Sequence, residues 1–131
     1  MPTLTQTRIY TQLKDLLNVV VLVSSDLPKS HRYVIGAKMQ ELAIDMNLTY
    51  AKAYLTRGAG CIALMDALLA DYSTLRILVT LAVENGWLKG RKRAARLIEL
   101  MDGIGKQASA LRGSFARTYA KECKQSIIGH D

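Results

Sequence analysis

The chain has 131 residues, enough for one ordinary domain with a core of its own. Half of them are hydrophobic, which excludes a disordered basic tail, and 18 Lys+Arg against 11 Asp+Glu leave a net charge of +7. That excess asks for an acidic partner: nucleic acid, an anionic membrane or an acidic protein surface.

Nineteen leucines and fifteen alanines, against two prolines and eight aromatics, favour helices over strands. The first helix is predicted over residues 5–24. Its apolar stripe is Ile9, Leu13, Leu16, Val20 and Val23, continuing to Leu27, in steps of three and four. Ser24-Ser25-Asp26-Leu27-Pro28 ends it, because Pro28 disfavours helix in Leu27 and the serines and Asp26 favour turns. The second helix is predicted over 31–57 on Ile35, Met39, Leu42, Met46, Thr49 and Ala53, and Arg57-Gly58-Ala59-Gly60 breaks the chain next. The third is predicted over 61–85, on Cys61, Met65, Leu68, Tyr72, Leu75, Val79 and Ala82, with Gly86 placed to end it in the left-handed conformation. It is also apolar beside its stripe, at Ile62, Leu64, Leu69, Ile77, Leu78 and Leu81, as a central helix or one shared with another subunit would be. The fourth is predicted over 88–122 on Ala94, Leu97, Met101, Ile104, Ala108, Leu111 and Phe115. Gly103, Gly105, Ala108, Ser109, Ala110, Gly113 and Ser114 make it rich in small residues. That leaves two readings, a close backbone approach or a kinked or frayed stretch near 103–105. Four such helices on short connections make an all-α, antiparallel up-and-down four-helix bundle, one domain over 1–131.

The charge is unevenly spread. Residues 1–85 hold eight basic and seven acidic side chains, whereas 86–124 hold ten basic and three acidic, so the excess belongs to the fourth helix. On a helical wheel Lys89, Lys92, Arg93, Arg96, Lys106, Arg117, Lys121 and Lys124 fall on an arc largely opposite the apolar stripe, with Arg91 beside it. Few acids stand at i±4 to lace this ridge with salt bridges, and Glu99 alone interrupts it. A solvated face is the plainer reading of a charge run. A ridge this poor in acids suits the phosphate backbone of RNA or DNA, bound with little regard to sequence and with a steep salt dependence. Stacking aromatics are missing from the ridge, since Phe115 belongs to the stripe and Tyr119 stands alone.

The catalytic inventory is poor, and the sequence reads as non-enzymatic with no cofactor and no metal. Of the two histidines, His31 sits at a helix start and His130 in the tail; no Glu-x-x-His pair offers a di-iron site. Asp102-Gly103-Ile104-Gly105-Lys106-Gln107 lacks the first glycine and the Ser/Thr of a phosphate loop and follows no strand. Cys61 and Cys123 form no metal-binding pair, and Cys61 lies in an apolar stripe, the place of a buried thiol rather than a nucleophile. Asp45, Asp66 and Asp71 are isolated helical acids. Free thiols, no signal architecture and an apolar run too short to cross a bilayer make the expectation a soluble, cytoplasmic protein with no membrane contact.

One stretch is recognisable. Leu27-Pro28-Lys29-Ser30-His31-Arg32-Tyr33-Val34-Ile35-Gly36-Ala37-Lys38 resembles the signature of the accessory variability determinant (Avd) family, accessory subunits of diversity-generating retroelements. Ala70-Asp71-Tyr72-Ser73-Thr74-Leu75-Arg76-Ile77-Leu78-Val79-Thr80-Leu81-Ala82 is similar to the family's third helix, and Leu97-Ile98-Glu99-Leu100-Met101-Asp102-Gly103-Ile104-Gly105-Lys106 to its fourth. The resemblance runs from about residue 9 to about residue 115. A sister group of bundles encoded in rRNA intervening sequences carries an Asn-Ile-Ala-Glu-Gly-like stretch after the second helix, which is not found around residues 50–60. The resemblance implies a barrel-like homopentamer with a positive surface. It also implies binding to a reverse transcriptase and to nucleic acid in a complex that makes mutagenic cDNA from a template-repeat RNA, the polymerase doing the chemistry. By position Lys29, Arg32 and Lys38 match the family's basic motif, Pro28 and Gly36 look structural, and Arg76 matches an arginine of the third helix. The alternative expectation is a bundle of the rRNA-intervening-sequence type, a structural or interaction protein without a reverse transcriptase. A small-molecule or metal-binding bundle is a distant third.

Overall fold

In the computed structural model, residues 7–128 are described, and they form four long helices with no strand among them. Helix α1 is Arg8–Ser24. Helix α2 covers residues 29–54 without a break: Lys29–His31 and Ala37–Tyr54 are α-helical, and Arg32–Gly36 between them is a wider π-helical turn. Helix α3 is Ala59–Glu84 and α4 is Arg91–Ile128.

Each helix contacts its chain neighbours, and α4 closes the ring against α1. Cross-helix contacts fix the directions. Along α1 and the turn after it, Gln12, Asp15 and Asp26 meet Gln107, Arg96 and Arg93 of α4 in descending order. Thr7, Leu13 and Ser24 meet Tyr50, Asn47 and Gln40 of α2, also descending. The bundle is therefore antiparallel and up-and-down, as the short connections predict. One consequence governs the rest: the α1–α2 turn and the α3–α4 loop lie at the same end.

The predicted stripes of α1 and α3 are buried without exception. In α2 the buried set moves to Met39, Leu42, Ala43, Met46, Tyr50 and Ala53, so Thr49 is only half-buried and Tyr50 takes its place in the core. Ile35 is half-buried because it lies in the π turn. In α4, Leu100 joins Leu97, Met101, Ile104 and Ala108 in the core, while Ala94, Leu111 and Phe115 are half-buried toward the two ends.

The predicted helix limits need correction. The 5–6 portion lies outside the described residues, and α1 starts at Arg8. The second helix runs over 29–54 rather than 31–57: it enters directly after extended Pro28 and ends as Leu55 and Thr56 turn back their amides to Lys52 and Ala53. The third begins two residues early, at Ala59, immediately after Gly58, whose φ is +70°. It ends at Glu84, where Gly86 (φ +66°) donates to Val83 and Trp87 to Ala82, the paired bonds of a Schellman stop. The fourth starts at Arg91, not residue 88, because Trp87–Gly90 is loop, and it continues past 122 to Ile128.

Two glycines, Gly36 and Gly105, are in close approach within one chain. A Cβ on Gly36 would stand 3.2 Å from Ser24 Cβ and 3.3 Å from Leu27 Cδ1, so the π turn seats α2 against the end of α1. On Gly105 a Cβ would stand 2.7 Å from Tyr72 Cζ, and α4 passes through residues 103–105 as unbroken helix. Close packing, not fraying, accounts for this glycine. Helix α3 is not central; Leu64, Leu69 and Leu78 pack on the core's margin, while Ile77 and Leu81 remain exposed. No helix among the described residues is long and apolar enough to cross a membrane.

Candidate nucleic-acid interface

The ridge cations divide into two kinds. Lys89, Arg91, Lys92, Lys106, Arg117, Lys121 and Lys124 are exposed and make no ion pair among the described residues. Arg93 and Arg96 are held by acids, as is Arg112, which lies off the ridge. Arg93 Nη1 lies 3.5 Å from Asp26 Oδ2, and Arg96 Nη2 lies 3.5 Å from Asp15 Oδ2 with Nη1 3.9 Å from Glu99 Oε1. Arg112 forks onto Asp66, Nε to Oδ1 at 3.0 Å and Nη2 to Oδ2 at 3.5 Å. Lacing within α4 is sparse, as expected, with Arg96–Glu99 its one ion pair among the described residues. Counting i±4 neighbours sees only acids on α4, whereas three further partners come from α1, the α1–α2 turn and α3.

The unpaired cations then form separate groups rather than a continuous ridge. At 1.5 Å per residue, Lys92 and Lys106 are ~21 Å apart along α4, and Lys106 and Arg117 ~16 Å. Arg117, Lys121 and Lys124 sit together where α4 runs past the bundle: from residue 117 to 125 every side chain is exposed. Lys89, Arg91 and Lys92 sit at the opposite end, on the α3–α4 loop and the first turn of α4.

Up-and-down topology brings part of the basic motif to that second group. Lys29, Arg32 and Lys89 line one cleft of about 210 Å³ with Asp26, Leu27, Pro28, Gly86 and Trp87. Arg32 Nη2 donates to the Leu27 carbonyl at 3.3 Å, which holds its guanidinium over the turn. Trp87 stacks on His31 with ring centroids 4.7 Å apart and planes 29° from parallel. The one acid in the cleft, Asp26, is mostly covered and has Arg93 as its counter-charge. Next to Arg32, Tyr33 is 78% exposed. Trp87 thus lines the cleft, while Tyr33 stands outside its lining on the same turn of α2 as Arg32. The sequence signal was Tyr33 inside the motif and Trp87 just after a helix stop, and only the antiparallel topology brings both to one end.

The other two motif residues lie elsewhere. Lys38 pairs with Glu41 at 3.8 Å, on the face where Asp45 and Asp71 also stand. Burial first, then repulsion from Asp45, pushes the Asp71 carboxyl above its ordinary value. Arg76 is exposed on the outer side of α3 beside Ile77, Leu81 and Glu84. The structure therefore does not gather Lys29, Arg32, Lys38 and Arg76 into one site. Cys61 is buried, its thiol donating to the Ala53 carbonyl at 3.4 Å, and burial pushes its pKa up, the reverse of what a nucleophile requires. No three His, Cys, Asp or Glu side chains among the described residues converge as a metal site would require. No protein-family model matches the chain, and no curated protein matches it.

Proposed function

We propose that this protein is a non-catalytic accessory subunit of a diversity-generating retroelement, a homopentamer that binds a reverse transcriptase and the RNA/DNA backbone to support mutagenic reverse transcription. The observation that carries the nucleic-acid part is the segregation of charge: seven cations with no ion pair among the described residues lie on α4 and its leading loop, over a nearly neutral three-helix body. Unpaired, exposed lysines and arginines release counterions on meeting phosphates, and charge-laced ones do so far less. The retroelement part rests on the resemblance of residues 27–38, 70–82 and 97–106. Exposed Ile77 and Leu81 on α3 are compatible with a subunit contact.

Co-expression with the reverse transcriptase encoded beside this chain, followed by pull-down with and without nuclease, tests the reading. The expected result is a nuclease-resistant complex whose accessory subunit scatters light as a pentamer. Failure to co-purify would favour the bundle of the rRNA-intervening-sequence type, with no polymerase partner.

A further inference from the structure

We infer that the cleft between the α1–α2 turn and the α3–α4 loop is a single-strand site, where a phosphate of unpaired RNA or DNA meets Lys29, Arg32 and Lys89 and a neighbouring base stacks on Tyr33. The inference rests on the nucleic-acid part of the proposed function and places the contact away from the length of α4.

Three cations from two segments, the opening turns of α2 and the α3–α4 loop, converge on one cleft of about 210 Å³, and none of the three is tied up by an acid among the described residues. The only carboxylate there, Asp26, is countered by Arg93 at 3.5 Å, so it does little to repel an incoming phosphate. Trp87 is held by its stack on His31 and by the amide bond that ends α3, and Arg32 is tied to the Leu27 carbonyl. Of the three donors, Arg32 is thus already positioned and loses the least entropy on taking up an anion. Tyr33 follows Arg32 directly and exposes 78% of its surface, next to Val34 at 72%, which leaves a ring face free for a base on the turn that carries Arg32. Cations with an exposed ring alongside are the single-strand pattern, because a base inside a duplex offers no free face to stack on. The cations along α4 lack such a ring and suit any phosphate backbone. The end cleft adds a preference for unpaired bases.

The full chain contains one tryptophan, Trp87, so its emission reports on this cleft directly. The test titrates the protein with oligo-dT, with a duplex of the same length and with inorganic phosphate, following Trp87 emission and the anisotropy of labelled strands. Oligo-dT is expected to change the emission and to bind about tenfold tighter than the duplex. Tyr33→Ala is expected to lose about tenfold for oligo-dT and nothing for the duplex, the scale of one stacked base. Equal binding of both strands with a silent Tyr33→Ala would overturn the single-strand site and leave backbone binding by α4 standing. Phosphate alone reproducing the emission change at the same affinity would make the cleft a small-anion site and also overturn it. No binding of either strand at low salt would remove the nucleic-acid reading itself.

Discussion

At Gly105 the structure sets two small effects against each other. Replacing a mid-helix glycine with alanine gains roughly 1 kcal/mol of helix propensity. At this position, however, the new methyl would press on the Tyr72 phenol, 2.7 Å from Cζ and 3.0 Å from Cε1. Overpacking of that kind costs about 1–3 kcal/mol, so Gly105→Ala should be net destabilising in a urea melt. Gly113 is the control. Its nearest foreign atom is the tip of Arg117 at 3.4 Å, which can swing aside. Gly113→Ala should stabilise by about 0.5–1 kcal/mol. Equal effects of the two substitutions would show that Tyr72 does not decide the matter. In the sequence both are simply helical glycines, and the ring that distinguishes them comes from a residue 33 positions away.

At the scale of the helix, α4 is set apart by its length. Its 38 residues span ~57 Å, while the 26 of α3 span ~39 Å. The excess leaves residues 117–125 exposed beyond the core. Lys121→Ala with Lys124→Ala should change the unfolding free energy by less than about 0.5 kcal/mol, the range for surface sites. With both cations gone, the slope of log affinity against log salt should fall by about 1.5. A large loss of stability would mean that the overhang packs on something. Periodicity made most of this helix legible: Leu97, Met101, Ile104 and Ala108 are core as their spacing requires. It could not show that the helix outlasts its support, because an apolar stripe says which face turns inward and not where its neighbours stop.

Across the whole molecule, the ion pairs decide which cations are available. Arg93 and Arg96 lie on the same arc as Lys92, yet they face Asp26 and Asp15, whereas Lys89 and Lys92 face solvent. Lys89→Glu with Lys92→Glu should weaken RNA binding at least tenfold at low salt, each lost phosphate contact also flattening the salt slope by about 0.7, and leave the melting temperature unchanged. Arg93→Glu should instead place a carboxylate opposite the mostly covered Asp26 and lower stability by about 1–3 kcal/mol. A double lysine variant that binds RNA normally would remove this end of the molecule from the interface.

The all-helical class, the stripes of α1 and α3, most of those of α2 and α4, three turns and the excess charge of the last helix are all legible in the amino-acid sequence. Each is written in local spacing and composition, and helix periodicity needs no distant partner to be read. Which cations are neutralised, which glycine faces a phenol, and that Lys29, Arg32, Lys89 and Trp87 line one cleft follow from the packed bundle. Those depend on the register between antiparallel helices, and register is set by how side chains interlock across the core, not by any one helix.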